Sequence, residues 1–214
     1  MSFRDHFTSH PSNPGHNPTT VVPAAVSRSS SATLERWTID SQRSSLEFTL
    51  RHLVIQQIRG RFSRWGGELF LDRVEPWLSS VQVWIDLASI ETGSPERDAH
   101  VRSPEFLDVA RFPRAELRRT HIDVRDARVT LHGRLDMHGV LGDVELDVEP
   151  AAVTAAGGVD RARYAARGTL DRQTFGLHWN QDLDLGGVVV GDRIELIAEV
   201  ELVRAACDPT PPPR

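Results

Sequence analysis

The sequence predicts an all-β fold of eight or nine antiparallel strands with one short helical insertion. Two observations carry that expectation. Apolar residues recur at every second position through one segment after another, the spacing that puts one set of side chains on each face of a strand. The 3.6-residue spacing of an amphipathic helix is nearly absent.

The elements follow in order. Trp37 to Ile39 opens the series, and Leu46, Phe48 and Leu50 then alternate with Ser45, Glu47, Thr49 and Arg51. His52 to Arg59, reading HLVIQQIR, is expected to form a turn of helix. Glu68 to Leu71 is the next strand, and after it Val81, Val83, Ile85 and Leu87 alternate with Gln82, Trp84 and Asp86. Ser94 before Pro95 is a helix start, because serine caps and proline suits the first turn, so Glu96 to Leu107 is expected to be a short helix or helical loop. Ala115 to Ile122 returns to strand, and Val129, Leu131, Leu135 and Met137 repeat the alternation. So do Val144, Leu146 and Val148, then Arg163 to Leu170, and finally Ile194, Leu196, Ala198, Val200 and Leu202. Gly157-Gly158 and Gly186-Gly187 read as hairpin turns. An apolar face left in water is unfavourable, so these strands must stack as two sheets or close into a barrel. The pattern alone is compatible with both.

Composition narrows the function. A chain of 214 residues is one domain with tails. Its 25 basic residues, all arginine, are outnumbered by 30 acidic ones for a net charge of −5, which argues against a nucleic-acid partner. The single cysteine, Cys207, excludes an internal disulfide. Residues 1–33 and 205–214 are rich in Pro, Ser or Thr and are expected to be disordered tails around a domain from Leu34 to Arg204. No segment near the start has the apolar run of a signal peptide, and none reaches the roughly 18 apolar residues of a membrane span. The expectation is a cytoplasmic protein without a membrane span.

Several motifs, taken in order, resemble those of the YceI-like family. They are WTID from Trp37, SSLEFTLRH from Ser44, RGRF from Arg59, SIETG from Ser89, RDAHVRSPEF from Arg97, Phe112-Pro113, GRLDMHG from Gly133, RQTFG from Arg172 and VGDRIEL from Val190. Arg43 and Asp136 stand where that family is expected to carry a histidine and a threonine. The resemblance implies an extended, eight-stranded, lipocalin-like antiparallel β-barrel with a helical insertion near one mouth, often assembled as a dimer. It also implies a long apolar ligand in the interior: a polyisoprenoid or isoprenoid quinone, or a fatty acid or its amide. Many members are periplasmic.

On this reading the cavity-lining candidates are Leu46, Phe48, Leu50, Val83, Ile85, Leu117, Leu135 and Phe175, by parity and by the matched motifs. The alternative is that they fill a solid core, since periodicity does not distinguish a hollow barrel from a filled one. His52 shares the parity of Leu50 and is placed either to meet a ligand head group or to bond to backbone. Arg97, Asp98, His100 and Arg172 are rim or head-group candidates, with an Arg97–Asp98 ion pair pinning the insertion as the structural alternative. No metal is expected: His132 and His138 are six strand residues, or about 20 Å, apart. No cofactor and no catalysis are expected either, because neither a G-x-S-x-G elbow nor a phosphate loop is present. The competing function is a non-catalytic interaction module with a filled core, dimerising through an outer sheet face that carries Trp84.

Overall fold

The structure, a computed structural model, describes residues 34–52, 56–72, 75, 78–125, 128–156, 159–180 and 190–204, with His52, 151–156 and 159 described by their backbone only. The expected tails and both glycine pairs lie outside the described residues.

The described residues form eleven strands: β1 (Glu35–Ile39), β2 (Ser45–His52), β3 (Gln56–Phe62), β4 (Trp65–Leu71), β5 (Ser80–Asp86), β6 (Ile90–Glu91), β7 (Arg114–Arg125), β8 (Arg128–Met137), β9 (Val140–Ala156), β10 (Val159–Asp171) and β11 (Val190–Arg204). All pair antiparallel. They form the order β1-β4-β5-β7-β8-β9-β10-β11, and β1 pairs back onto β11 to close the ring. This is a closed eight-stranded barrel.

Eleven segments make eight strands because three strands are interrupted. Both β1 and β2 run along β11, with Ile39 opposite Leu202 and Leu46 opposite Ala198. They are two halves of one strand, broken at residues 40–44. In the same way β4 pairs with β1 while β3 pairs with β2, and β5 pairs with β4 while β6 pairs with β3. The breaks let one curved sheet bend as it closes.

Two expectations about local structure are corrected. Gln56 to Arg59 is strand rather than a helical turn, with Arg59 opposite Thr49 and Ile58 opposite Leu50. Pairing with β2 satisfies these backbone groups, and the aromatic ring of Phe48 lies flat on Gly60, where a methyl would overlap it. The second concerns length. Helix α1 (Pro95–Arg102) begins as expected, the Ser94 hydroxyl accepting from Arg97 N, but ends before Leu107. Ser103 precedes Pro104 and is driven into the extended region (φ −70°, ψ 167°), which stops the helix. Among the described residues no helix is long and apolar enough to cross a membrane.

Inward side chains gather in two clusters. Trp37, Ile39, Leu46, Trp65, Ala162 and Leu202 pack at the end where β1 meets β11, with Leu202 fully buried. Toward the helical end a second cluster includes Phe48, Leu117, Leu135, Val144, Leu170 and Phe175. Each large apolar side chain buried in this way contributes about 1.5–3 kcal/mol.

On the outer face of the first end, opposite in parity to Leu202, Glu201 is buried under the residue 40–44 excursion. Its carboxylate accepts from Arg161 and from Arg163 (2.7 Å), and Arg43 lies 3.6 Å away. Asp40 takes a second bond from Arg161 at 3.1 Å. Burial works to raise the Glu201 carboxyl, but the bonds from Arg161 and Arg163 outweigh it and hold the group below the usual carboxylate range.

A candidate ligand cavity at the helical end of the barrel

Above the second cluster the barrel is not filled. A cavity of about 410 Å³ opens between the sheet and α1, within the range of small-molecule sites. One wall is Phe48 and Leu50 of β2 with Ile58 and Phe62 of β3, continued on the other side of β2 by Val190, Ile194 and Leu196 of β11. Ile90 and Thr92 continue the lining toward α1, which contributes Glu96, Arg97, His100 and Val101. Phe106, Leu107, Leu177 and Trp179 cover one side, and Met137 and Leu170 reach in from the ends of β8 and β10.

Few polar groups face this space, and Thr92, Arg97 and His100 among them are paired within the protein. Thr92 donates from its amide (2.8 Å) and its hydroxyl (2.6 Å) to one oxygen of buried Asp98. Arg97 Nε donates to the same hydroxyl at 2.8 Å, and its Nη2 to the Thr92 carbonyl at 2.7 Å. A cation and an anion therefore share one threonine, which holds α1 against β6 and leaves little net charge at the mouth. His100 packs edge-on to Trp179 with ring centres 4.6 Å apart, and its Nε2 lies 3.0 Å from Glu105. Phe106 completes this aromatic group, 5.6 Å from Trp179.

Arg172 does different work. It is almost completely buried and donates to the carbonyls of Gly191, Leu177, Trp179 and Val190, with Asp192 2.8 Å away. Four carbonyls around one guanidinium tie residues 177–179 to the start of β11, so Arg172 sets the position of Trp179 without entering the cavity.

The residues expected from sequence divide accordingly. Phe48, Leu50, Arg97 and His100 line the cavity. Leu46 lies in the packed cluster near the β1–β11 contact, while Leu117, Leu135 and Phe175 are buried in the second cluster with Val83 and Ile85 against it. Asp98 is buried behind Thr92, and the side chain of His52 lies outside the described residues. Sequence reasoning missed Ile58, Phe62 and Trp179. Ile194 and Leu196 carried the right parity in the last strand, but nothing in that pattern ranked them above Ala198 or Val200.

Trp84 faces outward, as expected, with the Arg114 guanidinium 5.1 Å from its ring and its indole against Gly66. On the outer face of β7 and β8, Asp123 takes a 2.8 Å bond with His121 and lies 3.4 Å from His132. The His121 bond, helped by the charges of Arg125 and His132, holds Asp123 below the usual carboxylate range. Among the described residues no group of three or more His, Cys, Asp or Glu side chains is arranged to hold a metal ion.

Comparison with known proteins agrees with this architecture. A profile of the YceI-like domain matches residues 37–202. The UPF0312 protein YE1254 of Yersinia enterocolitica is 33% identical over 191 residues, covering 86% of this chain and 95% of that protein. Among solved structures, Burkholderia cenocepacia BcnA superposes with a TM-score of 0.65 at 18% identity, covering 76% of this chain and 98% of BcnA. A Saccharophagus degradans domain, described as polyisoprenoid binding and implicated in plant cell wall breakdown, superposes at 0.56 and 18% identity, over 80% of this chain and 99% of its own. At those identities the two structures speak for the fold alone. The profile match across nearly the whole barrel, with a relative at one-third identity, shows that the chain belongs to the YceI-like family.

Proposed function

We propose that this protein binds a long apolar molecule at the helical end of its barrel and carries or sequesters it without catalysis. The observation that carries the reading is the cavity itself. Its walls are mainly Leu, Ile, Val, Phe and Trp side chains, and Thr92, Arg97 and His100 at its mouth are already engaged within the protein. Such a wall rewards burial of a hydrocarbon at about 25 cal/mol per Å². A polyisoprenoid or isoprenoid quinone is the first candidate, supported by the description of the Saccharophagus degradans neighbour as polyisoprenoid binding. A fatty acid or its amide is the second. The lack of a nucleophile-and-base pair at the described cavity wall supports a carrier over an enzyme.

The test is direct. Purified protein is extracted with organic solvent and the extract examined by mass spectrometry, alongside a Leu50→Asp variant. A long-chain compound recovered at near one per protein, and lost in a variant that melts like the parent, is the expected result. Repeated empty extracts, with no uptake of added prenol, quinone or fatty acid, would sink the carrier reading.

A further inference from the structure

The cavity stops part-way down the barrel, and its floor is one pair of rings. Phe48 and Phe62 line it with ring centres 5.7 Å apart. Beyond them no residue of the Trp37, Ile39, Leu46, Trp65, Leu202 cluster belongs to the lining, and Phe62 packs against both clusters. Phe48 cannot easily swing aside. It is buried, and its ring occupies the space over Gly60, its cross-strand partner in β3, where any larger residue would collide with it.

From this geometry we infer that Phe48, seated on Gly60 and backed by Phe62, limits the length of apolar chain the protein accepts. The inference rests on the cavity being the ligand site. A methylene occupies about the volume of a liquid water molecule, about 30 Å³, so 410 Å³ takes on the order of a dozen chain carbons. A longer tail must leave its surplus at the mouth, among Trp179, Phe106 and His100, where it stays partly wet. Chain length is thus read by the depth of the floor, and head-group chemistry by what lies outside. Leu196 is the ladder neighbour of Phe48 on β11 and also lines the cavity, so it offers a way to raise the floor from the adjacent strand.

The experiment is a chain-length series on the full chain, cleared of bound lipid on hydrophobic resin. Straight-chain fatty acids from octanoic to icosanoic, and the matching primary alcohols, are titrated by calorimetry. Affinity is expected to rise about fourfold per methylene while the chain still gains buried length, then to break to a flat or falling course. Phe48→Leu should move the break to longer chains and Leu196→Phe to shorter ones, each with a thermal melt like the parent's. A rise that continues unbroken to the longest chain overturns the inference, and so does a break that both variants leave in place. If no acid or alcohol of any length binds, the underlying cavity reading falls, and this inference falls with it.

Discussion

The two ends of this barrel belong to one closed sheet, yet one is packed and the other holds a void. At the first end Trp37 of β1 and Trp65 of the neighbouring β4 are buried in one cluster with Leu202. At the other end Leu50, Ile58 and Ile194 stand side by side on the adjacent strands β2, β3 and β11 and form one wall of the cavity. There α1 and residues 177–179 cover the opening, held by the Thr92 relay and by Arg172, instead of side chains filling it. On the proposed reading, stability and binding are assigned to different lengths of one sheet, and a cavity that would cost too much in a small core is tolerated where the other half is solid.

The sharpest way to break that comparison uses two leucines on one strand. Leu202→Ala, at a fully buried position, is expected to cost about 3 kcal/mol, whereas Leu196→Ala, which only enlarges an existing void, should cost about 1 kcal/mol. Urea denaturation of both variants decides it, and equal losses would mean the two ends are packed alike. A smaller effect separates the mouth from the rest. Thr92→Val keeps the shape but removes the hydroxyl shared by Arg97 and Asp98, for an expected loss of about 1–2 kcal/mol. Hydrogen exchange should then quicken in α1 while β1 and the end of β11 stay protected. If both ends loosen together, α1 is not an independent cover.

The smallest expected effect concerns acid. The Glu201 carboxyl is depressed in the folded state below its ordinary value of 4.5. Its contribution to stability is therefore complete above that pH and fades as the pH falls through the folded value. Glu201→Gln should be less stable than the parent at neutral pH, and the gap should narrow progressively below pH 4.5. Asp123 and Glu91 are depressed too, so the variant keeps part of the acid transition. A gap that stays constant down to acid unfolding would show that the Arg161 and Arg163 bonds add nothing.

Nine of the eleven strand segments, and the start of α1, were legible in the sequence. Each was legible for the same reason: a two-residue period or a Ser-Pro start is a local signal that needs no partner. The two segments that were missed show the limit. β6 is only two residues long, and β3 contains Gly60, whose role is to leave room for a ring on the neighbouring strand. The cavity shows the same limit more sharply. Parity placed Leu46, Phe48 and Leu50 on one face correctly, but Leu46 falls in packed core while Phe48 and Leu50 meet open space.

By itself, then, the sequence determined that the chain makes antiparallel strands with one apolar face each, and its ordered motifs pointed to the family. Only the tertiary structure decided where along the axis the interior is solid and where it is vacant. Alternation records which side of a strand is apolar. Height along the barrel, and which side chains sit beside one another, depends on register between strands distant in sequence, such as Phe48 beside Gly60 and Leu196, and a void exists only where side chains across the axis fail to reach each other.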